Sequence, residues 1–464
     1  MATQDWRTLL AADGPISEVI SGFQVRPQQQ AMLEAVTEAI ETNNSVVIEA
    51  GTGVGKTFAY LLPAFLSGGK VIVSTGSKTL QDQLYLKDLP LVKKALKSNV
   101  QTALLKGRAN YLCKHRVRLA QLEGRYKDKK SISYLRKIDD WAFVTQSGDV
   151  SELASVPRDA EVWPMVTSTT DNCLGAECDD YQECHVVKAR RDAQEADIVV
   201  VNHHLFFADL ALKEEGFGEL LPSANAVILD EAHQLPEIAS TFFSDTLSSR
   251  QLLELSRDAL TECLESASDM ADMRSLLSSL EKSVLDFRLA MDKPGLREPW
   301  YKIRDKAPIQ RELQNLSDVM DSLSSQLQIA SERSKGLQTC YERLCLMSQR
   351  LQNFKVPKPE TVQWFETYTR SFSLISTPLE IAEPFRKQLD AYPCAWVLTS
   401  ATLAVGQSFE HFTQRIGLDE PKTLLLDSPF DYWHNALLYA PPNMPEPQQH
   451  DFVPRLVEEA IPVI

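Results

Sequence analysis

The sequence predicts an α/β fold, a parallel sheet covered by helices on both faces and interrupted by two large insertions. Strands and helices alternate: a helix over 28–42 leads into Ser45-Val46-Val47-Ile48, a second helix follows Lys56, and Val71-Ile72-Val73 makes the next strand. Short apolar runs recur far downstream at Ile198-Val199-Val200-Val201, Val227-Ile228-Leu229 and Trp396-Val397-Leu398. Alternation in this rhythm implies parallel pairing with helical crossovers. The intervening segments differ in texture. The first, roughly 100 to 190, holds four cysteines. The second, from about 240 to 360, contains a stretch from Glu237 to Lys293 with neither Gly nor Pro. Leucines recur there at three- and four-residue intervals, as in Leu252, Leu255 and Leu276, Leu280, which reads as long amphipathic helices.

A chain of 464 residues with 44% hydrophobic content can bury more than one core, so two to four domains are expected. No apolar run approaches the roughly 18 residues of a membrane span, and no charged-then-apolar leader opens at Met1. A cytoplasmic protein without a membrane partner is expected. Eight cysteines in such a setting are better read as metal ligands or buried thiols than as disulfides. The net charge of -15 argues against a nucleic-acid partner, because phosphates must be neutralised by cations. The average conceals a basic segment. Between Tyr85 and Lys137 stand fifteen Lys or Arg against the three acids Asp88, Glu123 and Asp128, with Tyr111 and Tyr126 interspersed. The segment reads either as a phosphate-tracking surface or as a solvated helical face.

Ala50-Gly51-Thr52-Gly53-Val54-Gly55-Lys56-Thr57 lies between a predicted strand and a predicted helix, the context a phosphate-binding loop requires. Glycines let backbone N–H groups converge on phosphate oxygens, and the helix N-terminus adds its positive dipole end. Lys56 would reach the outer phosphates of ATP and Thr57 would place its hydroxyl on Mg2+. Downstream, Val227-Ile228-Leu229-Asp230-Glu231-Ala232-His233 supplies the acidic partner. Its strand delivers Asp230 to the metal, and Glu231 can orient the water that attacks the terminal phosphate.

Cys113, Cys173, Cys178 and Cys184 are separated by 59, four and five residues. Structural zinc sites use tight pairs, and Cys113 has no near neighbour. One distant and three close thiolates can instead satisfy a 4Fe-4S cluster, with zinc or no metal as the alternatives. Cys263, Cys340, Cys345 and Cys394 read as ordinary thiols.

Together these motifs resemble the XPD-like iron-sulfur branch of superfamily-two helicases. Asp230-Glu231-Ala232-His233 resembles the DEAH signature, and Arg26 and Gln29 in Phe23-Gln24-Val25-Arg26-Pro27-Gln28-Gln29-Gln30 look like the adenine-contacting motif. Ser74-Thr75-Gly76-Ser77-Lys78-Thr79-Leu80 resembles the first DNA-contacting motif. Thr399-Ser400-Ala401-Thr402-Leu403 resembles the motif coupling hydrolysis to strand movement. The four cysteines match the inserted cluster domain of that family in position. Val201-Asn202-His203-His204-Leu205-Phe206 looks like the bacterial DinG and YoaA branch.

The resemblance implies a RecA-like motor domain 1 over 1–100, an iron-sulfur domain over 101–190, motor again over 191–240, a helical Arch domain over 241–360, and motor again over 361–427. Residues 428–464 would open a second RecA-like domain, most of which is expected to be missing, so the chain should bind DNA and ATP without efficient unwinding. It also implies ATP-dependent 5'-3' movement on single-stranded or forked DNA in repair or replication, with a replication-fork accessory protein as a further partner. Rival readings are an RNA-directed DEAH-box motor and a nucleotide-switched nucleic-acid-binding regulator.

Overall fold

The computed structural model describes residues 6–123, 129–169, 172–214, 220–356, 361–379 and 381–463. Tyr126 of the basic segment lies outside them. The centre is a seven-stranded sheet of β1 (Ser45–Ala50), β2 (Val71–Thr75), β3 (Thr102–Leu104), β4 (Ile198–Asn202), β5 (Ala226–Asp230), β10 (Ala395–Ser400) and β11 (Lys422–Leu426). Its order is β11-β1-β10-β5-β2-β4-β3, with every pairing parallel. β2, β4 and β5 are buried at every position, which explains why they read as unbroken Val/Ile runs rather than alternating ones. One face packs on helices Pro27–Thr42 and Lys56–Leu66 through Met32, Leu33, Tyr60 and Leu61; the other buries Phe206, Phe207, Leu235 and Phe385. Helix Pro27–Thr42 starts with proline, whose fixed φ suits the first turn, and ends at Asn43 with φ 53°.

The second insertion is a separate unit with its own core. Helices Ser249–Ser266, Ala271–Ala290, Ala307–Ala330 and Lys335–Lys355 bury Leu252, Leu280, Phe287, Leu316 and Leu344 together. Ser248 and Gln251 form a capping box on the first of them. A four-stranded antiparallel sheet of β6 (Asp245–Ser248), β7 (Arg297–Pro299), β8 (Thr361–Thr367) and β9 (Phe372–Pro378), ordered β6-β9-β8-β7, closes the unit. Phe365, Phe372 and Leu374 of β8 and β9 join the helical core, although the sequence places 361–378 with the motor. The shift has a plain cause. Phe365 of β8 and Phe372 and Leu374 of β9 are buried among the helices' apolar residues, and β9 pairs with β6 from the other end of the insertion. At the other insertion, β3 extends the motor sheet beside β4, so its chain leaves the sheet only after Leu104.

The cysteine insertion has a small core of Leu112, Val117, Ile138, Trp141, Trp163 and Val166, with Trp141 and Trp163 edge to face at 6.5 Å. The two insertions meet at a buried carboxylate. Asp258 of the helical unit accepts from Arg343 Nη1 and from Arg116 Nη1 of the cysteine insertion, each at 2.7 Å. No helix among the described residues is long and apolar enough to cross a membrane.

Candidate active site

β1, β10 and β5 are neighbours in the sheet, and all three end on the same edge. This adjacency brings together motifs far apart in the chain. The loop after β1 carries Gly53 and Gly55 at φ 86° and 87°, a left-handed conformation that glycine adopts without strain. A side chain at Gly55 would also meet Gln29 Nε2 at 2.3 Å. Gln29 is buried and donates from Nε2 to Gly55 O at 2.9 Å, while its Oε1 is buried without a hydrogen-bond partner. Arg26 is the N-cap residue of the same helix. Gln29 thus borders the phosphate loop, and Arg26 stands at the start of the helix that carries it. Lys56 begins helix Lys56–Leu66 and donates to Ala50 O at 3.2 Å across the loop that Gly51, Thr52, Gly53 and Val54 complete.

Asp230 ends β5 and is 8% exposed. One turn beyond Lys56, Tyr60 donates its hydroxyl to Asp230 Oδ2 at 3.1 Å, across 170 positions of sequence. Burial and then the Glu231 charge push the Asp230 carboxyl up to about 6, against the pull of Tyr60 and Lys56. Thr57 also lies beside the Tyr60 hydroxyl, whose own pKa is raised by burial and by Asp230. Thr57, Lys56 and Asp230 therefore converge on one place, with two oxygens suited to a magnesium ion and a cation suited to phosphate.

Glu231 stands at φ 57°, a conformation uncommon for a non-glycine residue, and turns its carboxylate toward β10. Ser400 Oγ donates to Glu231 Oε2 at 3.4 Å and lies 2.7 Å from His233 Nδ1, with His233 Nδ1 itself 3.3 Å from Glu231 Oε2. The Thr399–Leu403 motif is wired to β1 as well: Glu49 Oε2 accepts from Leu403 N and, at 2.6 Å, from Ala404 N. Tyr60 and Glu49 were not anticipated. A tyrosine one helical turn after the phosphate-loop lysine and a carboxylate in an apolar strand were the available signals.

The Ser74–Leu80 motif divides in two. Ser74 and Thr75 are buried at the end of β2, and only Ser77, Lys78 and Thr79 are exposed. Ser77 caps helix Lys78–Gln83 by accepting from Leu80 N at 3.2 Å. The basic segment is likewise part structural. Lys106 bridges Asp82 and Asp149 at 2.7 Å each, Arg118 pairs Asp180 at 2.7 Å, Lys114 pairs Glu183, and Arg116 pairs Asp258. Lys87, Lys94 and Lys97 are exposed. A cleft of about 1020 Å³ opens between β3 and the cysteine insertion, lined by Tyr85, Lys87, Tyr111, Arg158 and Lys188 and equally by Asp82, Asp149, Glu152, Asp192 and Glu195.

The four cysteines are free thiols on short turns of the first insertion. Cys178 and Cys184 follow the single-turn 3-10 helices Gly175–Glu177 and Tyr181–Glu183. Burial pushes the Cys113 thiol up to about 11, and the charges of Cys173, Cys178 and Cys184 add to the rise. The four sulfurs are thus gathered within electrostatic reach of one another. Among the described residues, no three His, Cys, Asp or Glu side chains stand in position to share one metal ion.

The chain matches the DEAD/DEAH box helicase family over residues 26–121 and the DEAD_2 family over residues 76–252. It is 44% identical over 455 residues to a protein of Escherichia coli strain K12 named ATP-dependent DNA helicase YoaA, covering 98% of this chain and 72% of that one. The chain belongs to the XPD/DinG-like helicase family. The Haemophilus influenzae protein of the same name is 43% identical over 460 residues, with 98% and 72% coverage. An ATP-dependent helicase DinG of Mycobacterium tuberculosis strain H37Rv is 31% identical over 461 residues, covering 91% of this chain and 66% of that helicase. A solved XPD helicase, 17% identical, aligns over 87% of this chain and 62% of that one with a TM-score of 0.47. Family membership fits the geometry: the helicase motifs occupy one edge of the sheet.

Proposed function

We propose that this protein is an ATP-dependent DNA helicase, a DNA-stimulated ATPase that moves 5' to 3' on single-stranded DNA in repair or replication. The observation that carries the reading is the meeting of Lys56, Thr57 and Asp230, beside Glu231, at the shared edge of β1, β10 and β5. Lys56 would neutralise the outer phosphates and the Gly51–Gly55 amides would cradle them, with Gln29 and Arg26 beside the adenine. Thr57 and Asp230 would hold Mg2+, which supplies charge neutralisation on the phosphates. Glu231 would orient the attacking water and accept its proton. The link from Glu231 through Ser400 to β10 offers a route from hydrolysis to movement.

Single-stranded DNA would contact Ser77, Lys78 and Thr79 and enter the cleft beside Tyr85, Lys87 and Arg158, where cations and aromatic faces meet. Cys113, Cys173, Cys178 and Cys184 would hold a 4Fe-4S cluster, and the helical unit would serve as the Arch domain of the family. The relatives' names favour DNA over RNA as substrate. Measuring ATP turnover with and without single-stranded DNA, and strand displacement on duplexes with 5' or 3' tails, tests the reading. For the full-length protein, DNA-stimulated turnover and displacement from 5' tails are expected; the 464-residue chain alone should bind both ligands and displace strands poorly. Stimulation by RNA alone, or none by either, would overturn it.

A further inference from the structure

We propose that His203 is a positioning residue that ties the DNA-facing end of β2 to the carboxylate turn after β5, and so couples DNA binding to ATP hydrolysis. The inference rests on the reading of the chain as a DNA-stimulated ATPase. It begins with sheet order. β2 lies between β4 and β5, and Ser74 is flanked by Val201 on one side and Leu229 on the other. The first side chain after β4 can therefore reach across the end of β2 toward β5.

His203 does so. It opens helix His203–Glu214, whose start is held by Asn202 Oδ1 accepting from Leu205 N at 2.8 Å. Its Nδ1 lies 2.7 Å from Ser74 Oγ, and both residues are fully buried. Burial holds the imidazole neutral, with a pKa lowered to about 3, while the main-chain groups of Asp230 and Glu231 beside the ring pull the other way. A neutral ring carries one N–H. With the Ser74 hydroxyl donating to Nδ1, that proton sits on Nε2. This Nε2 is buried against the main-chain carbonyls of Asp230 and Glu231, near enough for both to favour a proton on the ring but without a well-formed hydrogen bond to either.

A buried polar atom so weakly partnered is costly, and it stands beside a turn whose Glu231 is held in an uncommon backbone conformation. The two features answer each other. A small displacement of the Glu231 turn tightens one of these contacts into a full hydrogen bond and completes a chain from Ser74 through His203 to the Asp230-Glu231 peptide. Ser74 shares its strand end with Ser77–Thr79, the exposed part of the DNA-contact motif, so tension at that end reaches the turn through the imidazole. His203 touches neither phosphate nor DNA on this account. It acts by placing Glu231.

The test is steady-state ATP turnover of the full-length protein, with and without single-stranded DNA, for wild type, His203→Asn and His203→Phe. Asn can accept from Ser74 in place of Nδ1 and loses the far nitrogen; Phe fills the space and loses both. Stimulation by DNA should fall by about tenfold in kcat in both variants, with DNA-independent turnover and the KM for ATP within about twofold of wild type. Adding Ser74→Ala to His203→Phe should lower stimulation no further, because both changes cut one chain. Undiminished stimulation in either variant overturns the inference. So does a parallel fall of basal and stimulated rates at an unchanged melting midpoint, which would mark a group needed for the chemistry itself. If His203→Phe fails to fold, His203→Asn alone decides. Absence of stimulation in wild type would instead sink the helicase reading.

Discussion

The nucleotide site and the cysteine site are both built from residues distant in sequence, but they are held differently. Lys56, Asp230 and Ser400 sit at the ends of β1, β5 and β10 or on the residues that follow, so hydrogen-bonded strands set their separation before any ligand arrives. Cys113 follows the isolated bridges of Tyr111 and Leu112, and Cys178 and Cys184 end one-turn helices. A sheet fixes its edge through many cooperative bonds, whereas a turn fixes a side chain through one or two. The first site is therefore preformed, and the backbone alone holds the second less firmly.

Replacing Cys113 or Cys178 by Ser gives the largest contrast. Iron in anaerobically purified protein should drop to near zero and protease should cut the 106–190 region faster, while ATP still binds. Lys56→Ala should do the reverse, with iron retained and nucleotide binding lost. Full iron in Cys113→Ser protein would remove that thiol from the cluster. Next in size, Glu231→Gln should lower turnover by roughly 10²–10⁴-fold with ATP affinity and melting midpoint unchanged. An unchanged rate would take the proton-accepting role away from Glu231.

Legibility followed the same division. Strands β1, β2, β4, β5 and β10 and the Ala50–Thr57 and Asp230–His233 motifs could be read directly, because a buried parallel strand must be apolar throughout and a phosphate loop needs glycine at set places. β3, β7 and β11 are short or lie at a sheet edge, so their sequences carry little pattern, and β8 and β9 look like motor strands until their core partners are seen. Tyr60 and Glu49 escaped notice, and His203 was legible only as part of a family motif, because each acts through a partner more than a hundred positions away. Charge density misled in another way. Four of the fifteen cations of the basic segment, Lys106, Lys114, Arg116 and Arg118, are each held by a carboxylate.

The Asp258 junction offers an intermediate case, a turn-rich insertion fastened to a helical one by charge. Its carboxylate is 9% exposed, and the Arg116 and Arg343 side chains facing it are 13% and 8% exposed. Asp258→Ala removes the carboxylate that Arg116 and Arg343 share in a largely buried place and should cost about 3–5 kcal/mol of stability. Thermal melting followed by tryptophan fluorescence checks it, and Trp141 and Trp163 report on the cysteine insertion directly. Substituting Asp258→Leu together with Arg116→Met and Arg343→Met should recover most of the loss. A triple variant as unstable as Asp258→Ala would mean the junction is held by its charges and not by its packing.

The smallest predicted effect turns the preformed character of the nucleotide site against the stability of the empty protein. Asp230 titrates near 6 in the fold, above the unfolded value of about 3.9. Its raised pKa means the fold prefers the neutral carboxyl. Stability therefore declines as pH rises from about 4 to 6 and stays reduced above that, by roughly 2–3 kcal/mol. Asp230→Asn keeps an acceptor for the Tyr60 hydroxyl and carries no charge. Without nucleotide or Mg2+, its melting midpoint should exceed that of wild type at pH 8, and the difference should vanish toward pH 4. With Mg2+ and ATP added, the order should invert, because the carboxylate then faces a cation and only wild type gains from binding. A gap independent of pH would show that burial of the charge is not what strains this strand end, and an uninverted order would separate Asp230 from the metal.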